Sequence, residues 1–304
     1  MNRIIVSVFF ALFAVSGTAT ENVTIIYSWT AADGPANYSR TIIEEANKQQ
    51  SKYKFIFDTK PGAGGSIAAN HVLKNPNTIL ATASAFFVRP NFFPNESYDL
   101  SAFKEIYLQC TAPMAITSVK YKTWAEVPKD QSLTIGVSGL GTTTQLFATQ
   151  IQAQYPKLTV VPFKSTSESL LSVAAGHTDL HVAFLGEVAT WGADTNKSRR
   201  LNVLGISGTT PVRGFPTLTS QGFGRTVADI GVPFHLVVPA NMPDTKFKEW
   251  RDILVQAGQR VSVKETYQHD ACVPHELTNE NLEPWYRAQV SKWQRLSQGV
   301  KLER

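Results

Sequence analysis

Short runs rich in β-branched and aromatic residues recur along the chain: Val23 to Tyr27, Tyr53 to Asp58, Thr78 to Thr82, Leu133 to Ser138, Thr159 to Phe163, Asp179 to Ala183 and Leu201 to Ile206. These predict strands buried on both faces. Helix-like stretches separate several of them: Asn37 to Gln50, Ser66 to Lys74, Thr143 to Gln154, Ser167 to Ala175 and Gly186 to Ala193. The alternation predicts an α/β fold of mostly parallel sheets covered by helices. The last third adds helices from Asp244 to Val261 and from Glu280 to Gln298. In the second of these, Leu282, Trp285, Tyr286, Gln289, Trp293 and Leu296 share helical spacing, as a face docked on a core would.

Glycines and prolines punctuate this pattern between Thr117 and Pro128 and again between Gly222 and Pro239. Two such crossings imply a discontinuous first lobe, residues 20–117 and 236–304, and a second lobe, residues 118–235. The cleft between them would face the carboxyl ends of both sets of strands, where α/β proteins bind ligands. Ahead of the first lobe, Met1 to Ala19 carries one basic residue, Arg3, an apolar run from Ile4 to Val15, and then small residues. This is the pattern of a signal peptide cleaved after Ala19, too short in its apolar run for a membrane span. It predicts an exported protein. The 285 residues that remain of 304 suffice for two domains with cores of their own.

The formal charge of +5 is dispersed, apart from pairs such as Arg199-Arg200, and gives no basic patch for nucleic acid. Small anions would feel a weak attraction, screened beyond about 8 Å at physiological salt. Two cysteines, Cys110 and Cys272, are compatible with a disulfide in an oxidising compartment and equally with two buried thiols.

Candidate chemistry lies in the loops. Lys60-Pro61-Gly62-Ala63-Gly64-Gly65-Ser66 follows a strand and opens a small-residue helix; its three glycines permit positive φ and close approach of backbone to a ligand or another strand. It lacks the Gly-Lys-Ser/Thr ending of a P-loop and the spacing of a dinucleotide fingerprint. Four other strand ends lead into small and hydroxylated residues: Ser28 to Asn37, Ala83 to Ala85, Ser138 to Thr144, and Lys164 to Ser167. Each ends at a helix start, where unpaired NH groups and the helix dipole suit a carboxylate or phosphate. One such loop is an ordinary cap; four on one cleft would make an anion site.

Val23 to Arg40, Pro61 to Ile67, Gly136-Val137-Ser138-Gly139-Leu140-Gly141, Pro162-Phe163-Lys164 and Gly176-His177-Thr178-Asp179-Leu180 follow one another in an order and spacing that resembles the extracytoplasmic solute receptors of tripartite tricarboxylate transporters, the Bug or TctC type. The resemblance runs over essentially the whole mature chain. It implies a two-lobed periplasmic receptor that closes on a small carboxylated solute, a di- or tricarboxylate or an aromatic acid, and presents it to a large and a small membrane subunit. One carboxylate would lie on the loops at Trp29 to Ala36 and Ser84 to Phe86. The distal part would lie on Ser138 to Thr143 and the helix start at Ser165-Thr166. The ligand-binding residues expected are therefore Trp29, Thr30, Gly34, Ser84, Ala85, Ser138, Gly141, Thr142, Thr143, Ser165 and Thr166, with backbone NH groups acting at Gly34, Ala85 and Gly141 and hydroxyls at Ser84, Ser138, Thr142, Thr143 and Thr166. No cofactor is expected, and the receptor is expected to be monomeric.

The chain departs from the family where relatives read Gly-Gly-Gly-Thr-Asp, having Ala32-Asp33-Gly34-Pro35-Ala36, and has Ser165-Thr166 for the usual Gly-Gly. Ala183 replaces an Asp that would pair with a cationic group on the solute, which favours a simple carboxylate. Trp29 and Phe86, were both to face the cleft, would suit an aromatic or extended acid.

Rival readings are a hydrolase and a receptor that presents its ligand to a sensor kinase. Ser138 falls near a Gly-x-Ser-x-Gly elbow, but Leu140 stands at the second glycine, and His235, His269 and His275 carry no catalytic motif around them. His177 and His181 have the spacing of a helical metal pair, yet Gly176 ends a helix and a strand follows, so no metal is expected.

Overall fold

A computed structural model describes residues 20–192 and 201–300. The expected signal peptide lies outside the described residues, as does Ala193 at the end of a predicted helix. The first half runs β1 (Glu21–Tyr27), α1 (Ala36–Gln49), β2 (Tyr53–Thr59), α2 (Ser66–Lys74), β3 (Thr78–Ala83), α3 (Ala85–Phe92) and a 16-residue strand, β4 (Phe103–Ser118). There follow β5 (Leu133–Val137), α4 (Thr143–Gln152), β6 (Leu158–Pro162), α5 (Thr166–Ala174), β7 (Leu180–Phe184), α6 (Leu185–Gly192), β8 (Asn202–Ile206) and α7 (Arg225–Ala228). The chain closes with β9 (Gly231–Pro239), α8 (Asp244–Gly258), α9 (Val261–His269), β10 (Val273–Pro274) and α10 (Asn279–Ser297).

Each lobe is built on three parallel strands, β2-β1-β3 in the first and β6-β5-β7 in the second, and each set is extended by antiparallel strands. β9 pairs antiparallel with β3 and with β4 from Phe103 to Pro113; from Met114 onward β4 pairs with β7 and β8 instead. One strand thus belongs to both sheets, and the chain changes sheet between Pro113 and Met114 and is back in the first by Gly231. The register of β4 against β9 shifts twice, bulges that bend and twist the pair.

Alternate residues of the strands feed different layers. Val23, Ile25 and Tyr27 of β1 pack with Ile42 and Ile43 of α1 and Trp250 and Leu254 of α8, whereas Ile26 faces the layer of α2, α3 and α10. Period-2 geometry in a strand covered on both sides requires this. In the second lobe Leu170, Val173, Leu185 and Val188 cover one face of the sheet and Leu146, Phe147 and Ile151 of α4 the other. Withdrawing each such side chain from water contributes about 1.5–3 kcal/mol. Trp293, Leu296, Leu282 and Tyr286 of α10 dock as their spacing predicts, and the Tyr286 hydroxyl donates to the Leu100 carbonyl at 2.8 Å.

Cys110 and Cys272 are joined by a disulfide that spans 162 residues and fastens β10 to β4, where Pro274 pairs with Cys110. The glycine-rich loop takes the backbone its composition allows, with φ of 124°, 59° and 95° at Gly62, Gly64 and Gly65.

Candidate functional site

The carboxyl ends of β1, β3, β5, β6 and β7 converge on one cavity between the lobes. It is lined by Tyr27, Trp29 and Asp33 after β1, Ala83 and Ala85 after β3, Ser138, Thr142, Thr143 and Thr144 after β5, Thr166 after β6, Phe184 and Glu187 after β7, and Phe234 from β9. Its free volume is ≈ 20 Å³, enough for little more than a water molecule. The lobes therefore meet closely around it.

Three helix starts border this space, those of α3, α4 and α5, whose first NH groups have no partner within the helix. Of the expected residues, Trp29, Ala85, Ser138, Thr142, Thr143 and Thr166 line the cavity; Thr30, Gly34, Ser84, Gly141 and Ser165 do not. The Thr30 NH donates to Asp33 Oδ2 at 3.2 Å, and Ser165 caps α5 by accepting from the Glu168 NH at 3.1 Å. The Gly141 NH donates to Gln145 Oε1 at 2.7 Å and so is already engaged.

The hydroxyls are committed as well. Thr142 Oγ1 donates to the Gly139 carbonyl at 3.0 Å, because a carbonyl only accepts. Its 2.9 Å contact with Thr144 Oγ1 must then use the Thr144 proton, and the 2.9 Å contact between Thr144 Oγ1 and Ser138 Oγ the Ser138 proton. Ser138 is left presenting lone pairs, not a proton, and no histidine is among the residues bonded to it. His235 instead bonds Glu105 at 2.8 Å, both side chains fully buried in the first lobe. His181 is buried in β7 against Ser169 at 2.8 Å, and burial pushes its imidazole down to about 3.

Contacts between the lobes frame the cavity. Ser84 Oγ lies 2.7 Å from Thr143 Oγ1, Ser167 Oγ donates to Asp33 Oδ1 at 3.2 Å, and buried Arg89 donates from Nη1 to the Leu140 carbonyl at 2.9 Å. Arg89 also stacks on Phe93. Two glycines make room for it: a Cβ on Gly64 would come within 2.8 Å of Arg89 Cδ, and one on Gly141 within 2.7 Å of the Phe93 ring. The glycine-rich loop thus serves the seam between lobes, touching Arg89 and the Leu140 carbonyl, and does not line the cavity.

Phe86 corrects one expectation. It is buried in the first lobe, stacked on Tyr98 at 5.0 Å, because the second residue of α3 turns back towards the sheet. The aromatic surface of the cavity comes instead from Trp29, Tyr27, Phe184 and Phe234; Tyr27 and Trp29 meet edge to face at 5.5 Å.

Two acids in the cavity were not among the expected residues. Asp33 is almost wholly buried, and burial raises its carboxyl above the usual range despite the bonds from Thr30 and Ser167. Glu187, in the first turn of α6, has its Oε2 atom buried without a hydrogen-bond partner. Burial, followed by the charge of Asp33, raises its carboxyl well above normal. An Asp in a turn-rich loop and a Glu at a helix start are ordinary residues, so only the fold reveals that they share a space.

Solved structures share this architecture. A periplasmic transporter superposes with a TM-score of 0.83 at 18% identity, over 94% of this chain and 99% of the other. The periplasmic binding protein BugD gives 0.81 at 20% identity over 93% and 98%, and an R. palustris protein solved with adipate gives 0.79 at 18% over 92% and 97%. No curated protein matches. Residues 39–302 match the family described as the tripartite tricarboxylate transporter family receptor, and the chain belongs to that family.

Proposed function

We propose that this protein is a periplasmic receptor that captures a small organic carboxylate between its lobes and delivers it to the large and small membrane subunits of a tripartite transporter. The observation that carries this reading is the convergence of the α3, α4 and α5 starts on one cavity at the carboxyl ends of the strands. Partly positive helix ends with unpaired NH groups are the backbone's own carboxylate donors. Adipate bound to a protein of the same fold accords with it. Opening of the lobes admits the solute. Closure then joins Ser84 to Thr143 and Arg89 to Leu140 across the cleft, and the closed outline is what the membrane subunits would recognise. The protein acts in this scheme as a monomer and carries out no bond chemistry.

A thermal-shift screen of the mature protein against carboxylates and neutral analogues tests the reading. A ligand at 100 times its dissociation constant stabilises the fold by about 2.7 kcal/mol. Stabilisation confined to acids is the expected result; stabilisation by neutral sugars alone would reject it.

A further inference from the structure

The lining of the cavity is acidic. Asp33 and Glu187 reach it from opposite lobes, and no lysine, arginine or histidine is among its described lining residues. The charge of Asp33 acts on Glu187, and the backbone next to Asp33 lies close to it: a Cβ on Gly34 would lie 3.5 Å from Glu187 Cγ. Asp270 stands behind them, packed against Gly186. Asp33 accepts hydrogen bonds from Thr30 and Ser167 and Asp270 is paired with His269, but Oε2 of Glu187 is buried with no partner. The hydroxyl chain from Ser138 through Thr144 to Thr142 ends on the Gly139 carbonyl, so Ser138 adds a further acceptor. Around these acceptors stand the rings of Tyr27, Trp29, Phe184 and Phe234.

A solute bearing carboxylates alone would meet these two acids only in the protonated form that burial favours, and would leave their oxygens without a cation to accept from. A donor group bearing positive charge answers each of these features, through charge-assisted hydrogen bonds to the carboxylates and the faces of the aromatic rings. A bare metal ion is a poorer fit: among the described residues no group of three His, Cys, Asp or Glu side chains is placed to hold one. We propose that the solute is an amino acid, its carboxylate at the helix starts and its ammonium group between Asp33 and Glu187. This rests on the receptor reading above and reverses the expectation from Ala183, since Glu187, four residues on, supplies a carboxylate from the next helix.

Matched solutes decide it. The mature protein is titrated by calorimetry with L-aspartate, L-malate and succinate, with L-glutamate and glutarate, and with L-phenylalanine and hydrocinnamate. The expected result is that in the series that binds, the amino acid is held at least about tenfold tighter than the hydroxy or unsubstituted acid. In Glu187→Gln, which keeps the shape of the side chain, that preference should fall by roughly tenfold through loss of affinity for the amino acid, while the unsubstituted acid keeps its affinity. Equal or tighter binding of the unsubstituted or hydroxy acids by the unaltered protein would overturn this inference and leave the carboxylate receptor standing. Binding of none of the acids, amino or otherwise, would overturn both. Should Glu187→Gln fail to fold, the matched solutes on the unaltered protein still separate these outcomes.

Discussion

The hydroxyl of Ser84, at the start of α3, lies 2.7 Å from that of Thr143, at the start of α4, and both are shut off from solvent. The two helices belong to different lobes, so this single bond exists only when the cleft is closed. Its loss in one partner leaves the other buried and unpaired. Thr143→Val should therefore destabilise the closed form by about 1–3 kcal/mol, with Ser84→Ala/Thr143→Val recovering part of the loss. Calorimetric affinity for the tightest acid found in the screen measures it. Unchanged affinity in both would mean that closure does not depend on this pair.

Gly141 should tolerate no side chain in the closed state. Its φ is +69°, and a Cβ would meet Phe93 at 2.7 Å and Arg89 Nη1 at 3.2 Å. Gly141→Ala combines about 1–2 kcal/mol of backbone cost with that collision, so the variant should scatter X-rays as a more open particle and bind solute more weakly. Gly176→Ala is the control, because it has a similar φ of +76° with nothing within 4 Å and should lose stability without losing affinity.

Glu187 should make stability fall with rising pH. Its folded-state pKa is raised, mainly by burial, so the folded protein holds a proton that the unfolded chain, with a pKa of about 4.3, has released. The contribution is fully present below that value and is lost as pH rises through the folded pKa. Glu187→Gln removes this residue's share of the dependence and leaves that of Asp33, whose carboxyl is also raised by burial. Its Tm should exceed that of the unaltered protein near neutrality, by about 2–4 °C for each kcal/mol relieved, and the gap should close towards pH 4. A gap independent of pH would show that Glu187 is ionised at no cost.

The disulfide should matter to the whole fold and not to one loop. Cys110–Cys272 closes a span of 162 residues and ties β10 to the strand shared by both sheets. Replacing both cysteines with serine should cost about 2–5 kcal/mol, read as a lower Tm and a lower denaturant midpoint. A midpoint unchanged by the double replacement or by reductant would contradict this.

The parallel strands and their helices were legible because each carries its own signal. α2 spans Ser66–Lys74 as its pattern indicates, starting where positive-φ glycines end the preceding loop. β4 and β9 were not legible. Pro113, Pro233 and Pro239 break up their apolar runs, and proline in a run argues against a strand. In the fold Pro113 pairs with Gly231 and Pro239 with Phe103, at the ends of the shared ladder, and Pro233 sits opposite Thr111, close to where β4 changes sheet. The loops of the site could be read from their small and hydroxylated residues. Which of them face the cavity could not, because that depends on where each helix turns: Phe86 went inward, while Glu187, an ordinary helical acid in the sequence, faced the cleft.

The topology also fixes an order of assembly. Between β3 and β4 in the first sheet lies β9, made more than a hundred residues after either, so the first lobe cannot be joined until Gly231–Pro239 has been synthesised, nor covered until α8 and α10 follow. Most of the second lobe is one continuous stretch and needs only the end of β4 from before it. Contacts that wait on distant segments form slowly. A nascent chain of this design stays unfinished at its leading end until nearly all of it exists, which is the condition in which a polypeptide can still be threaded through a narrow channel.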